Sequence, residues 1–239
     1  KARRKCKRQI RNTSIISKEK IMSAKTTVVT EELDRYLHTQ FTAEDEIMQK
    51  VLENAERKGL PKIHISGNQA RFMQFLLKAM NARYVLEIGS LAGYSAISMA
   101  RALPEDGKLI AVELNPEYTE IIKENAQIAG VADKIEVICD DGRHFVENCK
   151  LDFELDFVFV DADKPGYYLY LNKLTPFIRK GGIFAADNAF AFGYVLDSAP
   201  ERDPNEVKSI KNFNEKFLAN ENYFVTLVPG DGLIMGIKK

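Results

Sequence analysis

Five short runs constrain the fold more than anything else in this chain: "YVLEIG" (84–89), "KLIAVEL" (108–114), "KIEVIC" (134–139), "DFVFVD" (156–161) and "GGIFAADN" (181–188). Each is mostly apolar along its whole length, so each suits a strand covered on both faces. Between them lie segments with helical periodicity at 94–102, 116–129, 141–149 and 167–179. Strand alternating with helix specifies a doubly wound, mostly parallel α/β sheet. The end of the chain differs. A helical segment at 205–219 leads into "YFVTLVPGDGLIMGIKK", where Pro229-Gly-Asp-Gly232 separates two strand-like runs. That pattern predicts an antiparallel C-terminal hairpin and a total of seven strands.

Upstream of the sheet the pattern is helical. From Thr30 to Lys58, Leu33, Leu37 and Phe41 fall on one face and Ile47, Val51 and Leu52 on another, with Thr42 and Glu46 suggesting a helix start. Gly59-Leu-Pro61 breaks this stretch. "SGNQARFMQFLLKAM" then reads as an amphipathic helix with Phe72, Phe75, Leu76 and Met80 inward. No repeat, low-complexity tract or linker interrupts the chain after about residue 30, so residues 26–239 are expected to form one domain.

Residues 1–25 stand apart, being rich in Lys and Arg with Glu19 as the single acid. They suit a disordered basic tail, a transit peptide, or sequence upstream of a natural start at Met22. A nucleic-acid arm is disfavoured because the segment has no aromatic residue to stack bases. Over the whole chain Lys plus Arg and Asp plus Glu number 34 each, so no net field draws the protein to nucleic acid or to a membrane surface. Cys6, Cys139 and Cys149 form no CxxC pair, which suggests neither zinc nor a disulfide framework and fits a reducing cytoplasm. No apolar run approaches the roughly 20 residues needed to span a bilayer.

The strand ends carry the chemistry. "LEIGSLAGYSA" follows the first strand and opens a helix; Gly89 and Gly93 allow a tight turn and close approach of a ligand. Glu113, 24 positions beyond Gly89, ends the second strand, where an acid can accept hydrogen bonds from ribose hydroxyls. The loop lacks the GxGxxG dinucleotide fingerprint and has ExGxxxG instead. A carboxylate at Glu87 would repel a pyrophosphate but suit an ammonium, as at the methionine end of S-adenosylmethionine. Asp140-Asp141-Gly142, after the third strand, adds an acid where an adenine amino group would sit, although acids also simply start helices.

The fourth and fifth strands end in "DADK" (161–164) and "DN" (187–188). Neighbouring strands would bring Asp161, Asp187 and Asn188 together as three hard oxygen donors, which points to Mg²⁺, Mn²⁺ or Ca²⁺ and away from zinc. The plainer reading is that each acid caps the helix after it. That reading suffices for one acid and weakens for two adjacent strand ends.

"EIGSLAGYSA", "VFVDADKPGYY" and "GGIFAADN" resemble the cation-dependent O-methyltransferases, which include catechol O-methyltransferase and the caffeoyl-CoA O-methyltransferases. The resemblance runs from about Thr30 to the C-terminus. It implies a Rossmann-like methyltransferase fold. It implies Asp161, Asp187 and Asn188 as metal ligands and Lys164 as general base. It places Glu87, Gly89, Ser95, Glu113, Asp141, Gly142 and Asp161 at S-adenosylmethionine, and the acceptor is then a small phenolic molecule with vicinal oxygens. Plant and bacterial members are commonly homodimers. The chain departs from the pattern at Phe190-Ala-Phe192, where relatives often carry Leu-Trp or Leu-Arg-Gly-like residues, and this puts the acceptor in question. The basic N-terminal segment has no counterpart in the family pattern. Tyr167, Tyr168 and Tyr170 read as amphipathic cover, and His38, His64 and His144 as structural. An NAD-binding oxidoreductase and a non-catalytic cofactor-binding protein are the rival readings. A nucleic-acid methyltransferase is a further rival, opposed by the neutral charge and by "DADK" at the fourth strand.

Overall fold

The computed structural model describes residues 29–42, 44–228, 230 and 232–239, so the basic segment at 1–25 lies outside the described residues. Among the described residues, seven strands form one sheet in the order β3-β2-β1-β4-β5-β7-β6. They are β1 (Tyr84–Ile88), β2 (Lys108–Glu113), β3 (Ile135–Cys139), β4 (Leu155–Val160), β5 (Ile178–Ala186), β6 (Tyr223–Val228) and β7 (Leu233–Lys238). β1 to β5 are parallel, and β7 joins them antiparallel to β5 with β6 on its far side. The doubly wound sheet and the C-terminal hairpin are therefore as the sequence predicts.

Helices cover both faces: α1 (Glu31–Leu37), α2 (Glu46–Arg57), α3 (Gly67–Ala79), α4 (Tyr94–Ala100), α5 (Pro116–Ile128), α6 (Gly142–Asn148), α7 (Tyr167–Leu174) and α8 (Pro204–Leu218). The period-2 alternation of the strands sorts the core into two layers. Val85, Leu109, Phe157 and Phe159 pack with α2, α3, α4 and α5 on one side. Leu86, Ile110, Val158 and Val160 pack with α6, α7 and α8 on the other. β4 is buried at every position, which explains its unbroken apolar run.

Three sequence expectations are corrected. The helical pattern at 30–58 divides: α1 passes into one π-turn (His38–Thr42), and α2 starts afresh from Asp45, whose side chain accepts from the Met48 N–H. Asp45, not Thr42, is thus the cap, and Phe41 is 61% exposed instead of inward. The buried face of α3 is Gln69, Ala70, Met73 and Leu77, and Phe75 is 67% exposed. Phe72, Leu76 and Met80 sit at the edge of that face, half-buried. The segment at 167–179 stops being α-helical at Leu174, where Thr175–Phe177 forms a 3₁₀ turn around Pro176 and β5 begins at Ile178.

Asp156 is the one acid inside β4, and it fastens the start of the sheet. Its carboxylate accepts from the N–H groups of Arg83 (2.7 Å) and Tyr84 (2.9 Å) and from Arg179 Nε (2.6 Å). Burial opposes its ionisation, but those three donors outweigh it and hold the carboxyl below its ordinary value. A depressed folded value means the stabilisation is present above the unfolded value of 3.8 and is lost as pH falls through the folded one. We predict that Asp156→Ala costs about 1–3 kcal/mol at neutral pH, because the strand N–H groups lose their acceptor. Urea unfolding at pH 7 and pH 3 checks this, since the difference between variant and parent shrinks at the lower pH.

Candidate active site

Parallel register delivers the strand ends side by side. Asp161 N donates to Ile88 O, and Asp187 N donates to Val160 O, both at 3.0 Å. Gly89 N donates to Val112 O at 2.9 Å. Gly89, Asp161 and Asp187 therefore line up along the carboxyl edge of β1, β4 and β5, across the point where strand order reverses. Open α/β sheets hold ligands there. A cavity of about 720 Å³ opens over this edge. Its wall includes Gly89, Ser95, Glu113, Asp141, Gly142, Asp161, Lys164, Asp187 and Asn188, which is every expected site residue except Glu87.

The glycine turn is forced by sterics. Gly89 has φ +87°, and a Cβ there would collide with the Asp161 carbonyl, so only glycine lets the first loop lie against the end of β4. Glu113 receives the loop: its Oε2 accepts from Leu91 N (2.9 Å) and Ser90 N (3.3 Å), and its Oε1 from Asn115 N (2.9 Å). Oε2 is thereby filled, whereas Oε1 keeps lone-pair capacity for a further donor. Asp141 caps α6, accepting from Arg143 N (2.8 Å) and His144 N (3.2 Å), so the plain capping role is present there.

Glu87 is fully buried beneath the loop and does not reach the cavity wall. Ser90 Oγ donates to its Oε2, while its Oε1 has no partner among the described residues. Burial pushes its carboxyl up to about 7, partly opposed by the Ser90 hydroxyl and reinforced by the charge of Asp161. A raised folded value means that the folded state binds the proton more tightly than the unfolded chain. Stability of the cofactor-free protein is then lost as pH rises from 4.5 to about 7. We predict that Glu87→Gln removes that loss, on the order of 3 kcal/mol at pH 8. Denaturant unfolding of parent and variant at pH 5 and pH 8 measures it.

The "DADK" stretch resolves into inward and outward side chains. Asp163 turns outward, where it accepts from the Tyr170 hydroxyl and from the Arg143 guanidinium. It therefore does not face Lys164. Lys164 turns inward through a 3₁₀ turn at Lys164–Gly166 and is only 7% exposed. Its Nζ lies 2.8 Å from Asp161 Oδ1 and 2.7 Å from the Tyr167 hydroxyl. Burial, then the charges of Asp161 and Asp187, hold the Tyr167 phenol well above its ordinary value, so it stays protonated.

Asp187 is 5% exposed and stands beside Asp161. Burial first, and the Asp161 charge second, raise its carboxyl to about 6. Asn188 follows in the left-handed region at φ 59°, a conformation Asn tolerates better than most residues. Among the described residues no group of three or more His, Cys, Asp or Glu side chains is placed to hold a metal ion. The candidate donor set here is two carboxylates and an amide. It fits a hard dication: all donors are oxygens, and two crowded acids, one nearly buried, are the arrangement a dication relieves.

Several residues at or behind the cavity wall carry roles that the sequence does not announce. Gln69 Nε2 donates to Asp187 Oδ1 at 2.7 Å across the core. His64, expected to be purely structural, lines the cavity and packs on Tyr94 with ring centroids 4.6 Å apart. Phe192 closes another side, with the Arg202 guanidinium 3.4 Å from its ring centre and Arg202 Nε 2.7 Å from Glu206. Tyr167 and Tyr170 belong to the polar network, while Tyr168 is the exposed cover residue, beneath Lys216. Phe192 had a signal, as a departure from the family pattern; Gln69 had none, being one polar residue within an amphipathic helix.

A sequence model described as O-methyltransferase matches residues 38–239. A catechol O-methyltransferase of Niastella koreensis is 32% identical over 213 residues, covering 87% of this chain and 93% of its own. A caffeoyl-CoA O-methyltransferase of Populus kitakamiensis is 32% identical over 213 residues, covering 82% of this chain and 87% of its own. Among solved structures, an O-methyltransferase of Bacillus cereus in complex with SAH superposes with a TM-score of 0.79 at 29% identity, covering 87% of this chain and 97% of its own.

Proposed function

Since the chain belongs to the O-methyltransferase family, we propose that it transfers the methyl group of S-adenosylmethionine to one oxygen of a small phenolic molecule with vicinal hydroxyls, assisted by a divalent cation. The observation that carries this reading is the convergence of Asp161, Lys164, Asp187 and Asn188 at one end of the cavity. The family match favours neither an NAD-dependent oxidoreductase nor a non-catalytic binding protein. Mg²⁺ is the proposed cation, with Mn²⁺ or Ca²⁺ as substitutes.

Bound S-adenosylmethionine supplies a methyl group already activated by its sulfonium. We assign Glu113, through Oε1, to accept from the ribose, and the Asp141-Gly142 turn to meet the adenine. The family resemblance assigns Glu87 to the cofactor's ammonium; Glu87 lies beneath the loop, so it would meet that group only where the Ser90–Leu91 turn moves aside. Gly89 and Ser95 form the wall between them. Asp161, Asp187 and Asn188 would hold the cation, and the chemistry it would supply there is Lewis-acid polarisation of the acceptor oxygens. A phenol with a pKa near 10 is otherwise a poor nucleophile at neutral pH.

Lys164 Nζ is the group proposed to take the phenolic proton. While charged, it donates to Asp161 and to the Tyr167 hydroxyl. The Tyr167 phenol can instead donate to Nζ once the amine is neutral, because a hydroxyl both gives and accepts. The site thus offers Nζ a partner in both protonation states. Asp163, engaged with Arg143 and Tyr170, leaves that balance to Asp161 and Tyr167.

The test is a screen with labelled S-adenosylmethionine against catechols, hydroxycinnamates and their CoA esters, each with Mg²⁺ or with chelator. Methylation confined to vicinal diols and abolished by chelator is expected; chelator-resistant methylation of a monohydroxy phenol would contradict the reading. A homodimer is proposed from the family resemblance, with light scattering as its check. No helix among the described residues is long and apolar enough to cross a membrane, and a cytoplasmic location is proposed.

A further inference from the structure

Gln69 occupies a position where a helix normally presents an apolar side chain. It shares the buried face of α3 with Ala70, Met73 and Leu77 and is itself 7% exposed. Leu at such a site has a comparable helix propensity and no polar group to desolvate. The first turn of α3 pins its backbone, since Gln69 N donates to the capping Ser66 Oγ at 3.2 Å. From there the side chain crosses to β5, and Nε2 donates to Asp187 Oδ1 at 2.7 Å. An ionised carboxylate only accepts, so the amide orientation is set: nitrogen toward Asp187, Oε1 elsewhere. That Oε1 is buried and has no hydrogen-bond partner among the described residues.

We propose that Gln69 is a positioning residue for the cation half of the site: it fixes the Asp187 carboxylate through Oδ1 while leaving its charge whole, and so sets how tightly the cation is held. This rests on the proposed cation-dependent function. The choice of an amide is what distinguishes it. Lysine or arginine at this place would orient Asp187 equally well but would neutralise it. Asp161 already shares its charge with Lys164, so Asp187 is the acid left to supply an undivided negative charge. A ligand held by an outer partner in this way loses roughly 10–100-fold in metal affinity when that partner is removed.

The experiment measures Mn²⁺ binding by electron paramagnetic resonance on the full chain with SAH present, in the parent, Gln69→Leu, Gln69→Met and Asp161→Asn. Gln69→Leu and Gln69→Met remove the donor while keeping bulk on the helix face, and their thermal melting checks that they fold. Both are expected to raise the Mn²⁺ Kd roughly 10–100-fold. KM for Mg²⁺ should rise in step, while kcat at saturating Mg²⁺ and SAH affinity hold. A folded variant that binds Mn²⁺ as tightly as the parent overturns the inference. So does a fall in kcat with an unchanged KM for Mg²⁺, which would place Gln69 outside cation binding. A parent that binds no Mn²⁺ is a different failure: it removes the cation-dependent function itself and the inference with it.

Discussion

Asp161→Ala abolishes methyl transfer that depends on a divalent cation. The expected loss in turnover is roughly 10³-fold or more, because Lewis-acid polarisation of an oxygen is worth several kcal/mol and each 1.36 kcal/mol is a factor of ten. The substitution acts on three groups at once. It removes one proposed oxygen ligand at the end of β4. It deprives Lys164 Nζ of its partner at 2.8 Å. It also takes away the like charge that, after burial, raises the Asp187 carboxyl. Asp187 then ionises more readily, yet a single buried acid with Asn188 is a poorer grip for a dication than the pair. Steady-state rates on a catechol across a Mg²⁺ titration, repeated with chelator, measure the effect. Normal turnover by Asp161→Ala in the presence of chelator would show that the metal ligands are misassigned.

Lys164→Met lowers kcat by roughly 10²–10⁴-fold, the range expected for loss of general-base assistance. SAH binding stays nearly unchanged, because Glu113 and the glycine turn are untouched. Methionine is the informative replacement, since it keeps the apolar stem in a position that is only 7% exposed. Lys164→Arg should be nearly as slow, because a guanidinium does not give up its proton in proteins. Presteady-state and binding measurements separate these effects. If turnover and SAH affinity fall together, Lys164 is a structural partner of Asp161 and not a base.

The strand ends were legible in the sequence because β4 and β5 are covered on both faces, so an apolar run ending abruptly in Asp marks the carboxyl edge of the sheet. Parallel register did the rest, placing Asp161 and Asp187 one strand apart. What the sequence could not give was the direction of side chains between neighbours. Asp163 and Lys164 are adjacent, and only the Arg143 and Tyr170 contacts show which one turns out. The face of α3 was misread for a related reason. Periodicity assumes that the large apolar residues are inside, whereas here Gln69 is inside and Phe75 outside. The inward Gln69 hydrogen-bonds Asp187, and that pairing is invisible in a local window because its partner lies 118 residues away. The split at 38–45 was missed because Thr42 and Asp45 are both plausible caps, and the Asp45 bond to Met48 N decides it.

The most direct measurement is anomalous diffraction from crystals grown with Mn²⁺ and SAH. We predict a single strong peak shared by side-chain oxygens of Asp161, Asp187 and Asn188, with SAH in the adjoining cavity over Gly89. SAH bound in that cavity with no peak between those three side chains would contradict the account.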